Sequence, residues 1–193
     1  MLRIPFVRRT LFVCGFVLFF LIGATTKTNA QEMVYTGYSA GVSLQAYPAG
    51  IIGTARLSYQ PGIKHVFSGY GGFNTTDRRD WGKHDDESGS GAGFGLAWHY
   101  YFNIAPAGFY AGIRTDLWFL AIDWRENNGA TGTTDITVLQ PTAQLGYTFL
   151  PGEGTWFFDA NVALGAEINI ETEGEDVGEG AILLIGIGVG YRF

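Results

Sequence analysis

From residue 38 onward the chain alternates apolar residues with polar or small ones at a period of two, eight times over. That period places successive side chains on opposite faces of a strand. It predicts strands over 38–46, 51–60, 63–74, 92–102, 109–124, 137–149, 156–170 and 179–193. In the seventh, Phe158, Ala160, Val162, Leu164, Ala166, Ile168 and Ile170 oppose Asp159, Asn161, Ala163, Gly165, Glu167 and Asn169. The last strand is the most apolar. Ala181, Leu183, Ile185, Ile187, Val189, Tyr191 and Phe193 share one face, against Ile182, Leu184, Gly186, Gly188, Gly190 and Arg192. An edge strand of this kind in water would template aggregation. In lipid it is tolerated only if the sheet closes on itself, so that no backbone group is left unpaired.

The spacing of the strands agrees with closure in a bilayer. Most segments reach the roughly 9–11 residues that a tilted strand needs to cross. Links after the second, fourth and sixth strands are short. Those over 75–91 and 125–136 are long and polar, and the link over 171–178 is acidic. The first link, over 47–50, is short as well; that one aside, short turns on one side and long loops on the other are the asymmetry of a membrane barrel. Tyr38, Tyr59, Tyr100, Phe102, Phe109, Tyr147, Phe149, Trp156, Phe158, Tyr191 and Phe193 all fall near the strand ends on the short-turn side. Such a girdle suits the headgroup level. The competing architecture is a soluble barrel with a ligand cavity. It would turn its apolar face inward, whereas here the apolar face runs round every strand and the other is rich in glycine.

The start of the chain bears on location. Arg3, Arg8 and Arg9 precede an apolar run over 11–23, and a polar segment ends at Ala30. This is the layout of a secretory signal peptide over 1–30, leaving a barrel domain over 31–193. A spanning anchor would need about 20 apolar residues, more than the run offers. Cys14, the single cysteine, lies inside that run. A chain cleaved after Ala30 therefore has no disulfide and no thiol chemistry.

The ending G-V-G-Y-R-F resembles the terminal strand of bacterial outer-membrane barrels, which close on Phe with an aromatic two residues earlier. With the eight alternating segments, the chain is similar to the small eight-stranded group that includes the OmpA membrane domain and OmpX. The resemblance implies an antiparallel up-and-down transmembrane β-barrel in the outer membrane. It also implies that Tyr191 and Phe193 form a signal read by the barrel-assembly machinery. Members of the group are structural barrels, adhesins, weak pores and, in a few branches, lipid-modifying enzymes, so place and fold are implied more strongly than activity.

Charge and candidate chemistry narrow the rest. Residues 31–193 carry eight Lys and Arg against eighteen acids, a formal net charge of −10. Nucleic acid, which needs a basic footprint, is not an expected partner. Outer-membrane lipids are, together with an extracellular ligand met through the loops. An eight-stranded barrel is just wide enough to be filled by its own side chains. The polar faces send Arg56, His99, Arg114, Asp116, Asp159 and Glu167 inward, with Lys64 joining them if its strand keeps register. Arg56 and Arg114 are expected to be held by Asp116 and Glu167, plugging the lumen; a narrow conduction path is the alternative. Asp77, Asp80, Trp81, His84, Asp85, Asp86 and Glu87 form a charged external loop. Its carboxylates are hard ligands of the kind Ca²⁺ takes, but their spacing does not follow the EF-hand pattern, and a solvated loop of self-paired charges is expected. Catalysis is not expected. His65 and Ser68 lie on opposite faces of a strand, and no serine lies within two residues of His99, so no nucleophile and base are spaced to meet. No cofactor is implied.

Overall fold

The computed structural model describes residues 37–79, 82–151 and 155–193. The segment over 1–30, expected to be a signal peptide, lies outside them. Eight strands follow in order: β1 (Gly37–Tyr47), β2 (Gly50–Gln60), β3 (His65–Arg79), β4 (Asp86–Tyr101), β5 (Gly108–Arg125), β6 (Thr131–Phe149), β7 (Trp156–Glu173) and β8 (Gly180–Arg192). Each pairs antiparallel with its neighbour, and β8 returns to β1, closing the barrel. The seam runs from Ala46 opposite Ile185 to Ser39 opposite Arg192. Tyr38 and Phe193 continue it by exchanging backbone hydrogen bonds of 3.3 and 3.0 Å. Closure answers every edge, which is why so apolar a terminal strand is tolerated.

The period-two reading of the faces holds. Val42, Leu57, Phe73, Phe94, Ile113, Leu145, Leu164 and Ile187, one from each strand, point outward and are each about half or more exposed. A belt of this extent has no place on a water-soluble surface, and suits hydrocarbon. No helix among the described residues is long and apolar enough to cross a membrane. The end holding the C-terminus and the three even-numbered connections is called the turn end below. The opposite end is the loop end.

Two expectations about length are corrected. Most of the long link over 75–91 is paired strand, because β3 and β4 zip up to Arg79 opposite Asp86. The link over 125–136 likewise shrinks to 126–130, since β5 and β6 pair up to Arg125 opposite Thr131. Partners such as Thr75 and Ser90 carry no apolar alternation, so the sequence pattern stops where the backbone ladder does not. Strand β7 also holds a bulge. Thr137 faces Glu171 but Val138 faces Asn169, which leaves Ile170 as the extra residue. Beyond it Glu171 and Glu173 point outward and Thr172 inward, a change of parity that bulges produce.

Candidate functional site

The turn-end half of the lumen is polar. Arg114 Nε donates to both oxygens of Asp116, at 3.0 and 2.7 Å, and Nη1 donates to Gln45 Oε1 at 3.0 Å. The guanidinium lies 4.0 Å from the centre of the Tyr70 ring. Gln45 Nε2 reaches Asn161 Oδ1 at 3.3 Å, and Asn161 Nδ2 reaches Asp159 Oδ1 at 3.0 Å. Asp159 also accepts from Tyr110 Oη and Thr148 Oγ1, at 3.1 and 3.0 Å. Tyr101 and Thr148 share a hydroxyl contact of 3.0 Å, and His99 Nε2 meets Gln144 Oε1 at 2.8 Å. Arg56 lays its cation 4.6 Å from the Phe157 ring centre. Strand parity sets all of this. The residues come from β1, β2, β3, β4, β5, β6 and β7, and each is an inward position.

The loop-end half is a hydrophobic core. Trp118 is fully enclosed, and with Ile52, Leu120, Ile122, Ile136, Val138, Ile182 and Leu184 it packs across the barrel. Its indole N–H is satisfied by Gln140 Oε1 at 2.8 Å. The glycine tract of β4 makes the space. A Cβ at Gly93 would strike the Trp118 ring, and one at Gly95 would strike the Asp116 carboxylate.

Over this plug sits a charged cap. Arg78 Nη2 donates to Glu167 Oε2 at 2.6 Å, Nη1 donates to the Gly178 carbonyl, and Glu87 Oε2 lies 3.6 Å from Nη1. All three charged side chains are buried. Glu87 also accepts the backbone N–H groups of Lys83 (2.7 Å), His84 (3.1 Å) and Gly178 (3.1 Å), from two different loops. Its carboxylate therefore staples the β3–β4 and β7–β8 connections together. Asn169 Nδ2 and Thr134 Oγ1 donate to the carbonyls of Val177 and Glu175, at 3.2 and 3.0 Å, and Val177 drops into the apolar core. The β7–β8 connection is thereby held down as a lid.

Several expectations change here. Glu167 pairs with Arg78, not with Arg56 or Arg114, because it sits at the loop end beyond their reach. Glu87 belongs to β4 and points into the barrel, so it is not an external loop residue. Lys64 is not in the lumen; it turns outward to Tyr100. Asp77 and Asp86 are strand residues at the rim, and Asp77 lies 3.7 Å from Arg79 Nε. His84 stacks on Trp124 at 4.4 Å and its Nδ1 meets Glu126 Oε1 at 2.6 Å, while Asp85 accepts the Asn127 N–H at 2.7 Å. Asp80 and Trp81 lie outside the described residues. Among those described, no three His, Cys, Asp or Glu side chains converge as metal ligands would. Sequence reasoning missed Arg78 and the Trp118 core. The visible signal is the set of apolar residues at Leu120, Ile122, Ile182 and Leu184, on faces that are polar or small elsewhere.

His65 Nδ1 accepts from Trp98, His84 meets Glu126 and His99 meets Gln144; Ser68 bonds Ser58 inside, at 2.8 Å.

At the C-terminus Tyr191 sets its ring against Trp156, at 5.3 Å, and Phe193 sets its ring against Tyr38, at 6.5 Å.

The same fold is found among solved structures. A major outer membrane protein from Thermus thermophilus superposes with a TM-score of 0.54 at 13% identity, covering 82% of this chain and 99% of that one. The N-terminal β-barrel domain of Pseudomonas aeruginosa OprF superposes with a TM-score of 0.50 at 17% identity, covering 81% and 97%. The fold is that of the small eight-stranded outer-membrane β-barrels. At these identities the likeness is one of fold. No protein-family model matches the chain, and no curated protein matches it.

Proposed function

We propose that this chain is an outer-membrane barrel whose lumen is a structural core and whose loop end is its working surface. The carrying observation is the filled interior: a polar network, an apolar plug around Trp118 and the Arg78–Glu87–Glu167 cap follow one another along the barrel axis. A barrel packed in this way offers partners its rim. The rim is acidic, with Asp123, Asp135, Glu171, Glu173, Glu175 and Glu179 exposed. A groove of about 440 Å³ lies between the two capped connections, lined by Lys83, Asn169, Thr172, Asp176 and Glu179. The partner class this favours is a cationic or polar one, met on the cell surface. The turn end then faces the periplasm, and the strand ending at Tyr191 and Phe193 is the assembly signal.

Single-channel current through the purified full chain in planar bilayers is the test. The expected result is no steady conductance. A large, steady wild-type current would overturn the structural reading in favour of a narrow pore.

A further inference from the structure

Lys64 lies one residue before β3, where the parity of Val66 and Ser68 would send it inward. Its ammonium instead lies 3.3 Å from Tyr100 Oη and 5.5 Å from the centre of that ring, on the outward side of the barrel. Beside it, exposed His65 stacks on Trp98 at 5.9 Å and meets Tyr100 at 5.4 Å. Its Nδ1 accepts the Trp98 indole N–H at 3.2 Å. A neutral ring with Nδ1 so occupied carries its proton on Nε2, which leaves an outward donor. Phe102 extends the patch, with its ring 6.0 Å from that of Tyr100. The cluster therefore offers an ammonium with spare donors, an imidazole N–H and a floor of aromatic rings. It stands at the turn-end margin of the apolar belt, which in a bilayer is the headgroup level. A cation beside a second N–H donor suits a phosphate oxygen. Aromatic faces beneath suit the glycerol and first acyl carbons of the same molecule.

We propose that Lys64 and His65 bind the phosphate of an anionic phospholipid, with Trp98, Tyr100 and Phe102 seating its glycerol and upper chains. The site rests on the reading of this chain as a membrane barrel.

The test follows the Trp98 indole N–H by NMR in the full chain, folded in a maltoside detergent that contains no phosphate. Short-chain phosphatidylglycerol is titrated in. The expected result is a saturable shift, with apparent affinity about tenfold weaker in Lys64→Gln and in His65→Gln, the loss of one charge-assisted contact. Lys64→Arg should bind within about twofold of wild type. Tyr100→Phe, which removes a hydroxyl from the outward face only, is a second variant should Lys64→Gln fold poorly; it too should weaken binding. Equal saturation by inorganic phosphate would mean an ion site and overturn the lipid assignment. No saturable shift in a folded, heat-modifiable wild-type barrel would overturn the site alone. A wild-type chain that stays folded and monomeric without detergent would overturn the membrane reading, and the site with it.

Discussion

The two halves of the lumen fill the same narrow bore by opposite means. Near the turn end, Arg114, Asp116, Gln45, Asn161 and Asp159 are linked by directional bonds across several strands. Near the loop end, Trp118, Ile122, Leu184 and their neighbours pack without direction. A polar network specifies a register, since each member must find its partner, but it fails badly when one is removed. An apolar plug loses only contacts and area. The first half argues for a fixed interior rather than a conduit. The second fills the bore with apolar side chains, which offer no charge for an ion to exchange against.

The comparison is sharpest at Asp116. Replacing it by Leu strands the buried Arg114 guanidinium, so the expected loss is about 3–5 kcal/mol, read as urea unfolding in lipid vesicles. Arg114→Met combined with Asp116→Leu should recover much of that loss, because no charge is left without a partner. If the double variant is as unstable as the single one, the pair is not the unit described here.

On the apolar side, Leu184→Ala should cost about 3 kcal/mol through lost burial and the cavity left behind. No second substitution in the polar half should rescue it. Rescue would mean that the two halves are one coupled network. A loss well under 1 kcal/mol would mean that water already reaches this layer and that the plug is loose.

Glu87 tests the boundary between the halves and the loops above. Glu87→Gln keeps the shape but removes the charge that Arg78 faces, for an expected cost of about 1–3 kcal/mol. Amide hydrogen exchange at Lys83, His84 and Gly178 should accelerate together, since all three N–H groups point at this carboxylate. Acceleration at Lys83 and His84 alone would show that the lid is held by Asn169 and Thr134 instead.

Much of this was legible in the chain. The eight strands, their faces and the closing role of the last one follow from period-two alternation, which the lipid boundary enforces on every strand. Legibility fails where that boundary ends. The stretch Ser88, Gly89, Ser90 and Gly91 reads as a loop because polar residues are free to face outward above the membrane. Glu87 reads as external for the same reason. The Trp118 core escapes notice because Leu117, Phe119 and Ala121 on the other face are apolar too, so the contrast between faces disappears. The partner of Glu167 lies 89 residues away, and a parity argument fixes which way a side chain points but not what it meets. Lys64 departs from its parity although its carbonyl still accepts the Tyr101 N–H at 2.8 Å, because its ammonium is held by the hydroxyl and ring of Tyr100 on the outward side.

The smallest expected effect lies farthest from the packed bore, on the lid itself. Lys83 Nζ stands 2.6 Å from Asp176 Oδ2 across the two connections that Glu87 staples from below. The hydrogen bond from Lys83, and then its charge, hold the Asp176 carboxyl below the usual carboxylate range. A carboxylate depressed in this way adds to stability above its ordinary range, and the gain is lost as pH falls through the depressed value. Both side chains are mostly exposed, so the contribution to folding is screened and should not move the unfolding midpoint. The pair is read instead by NMR titration of the Asp176 carboxyl, which should protonate at lower pH than a free aspartate. It should return to the ordinary range in Lys83→Met, and also in high salt, where exposed charges lose sight of each other. An unshifted titration in the wild type would show that the surface pair does not hold the lid. The buried contacts of Arg78, Glu87, Asn169, Thr134 and Val177 would then hold it without help from the surface, and the contrast between a packed interior and a solvated rim would be sharper still.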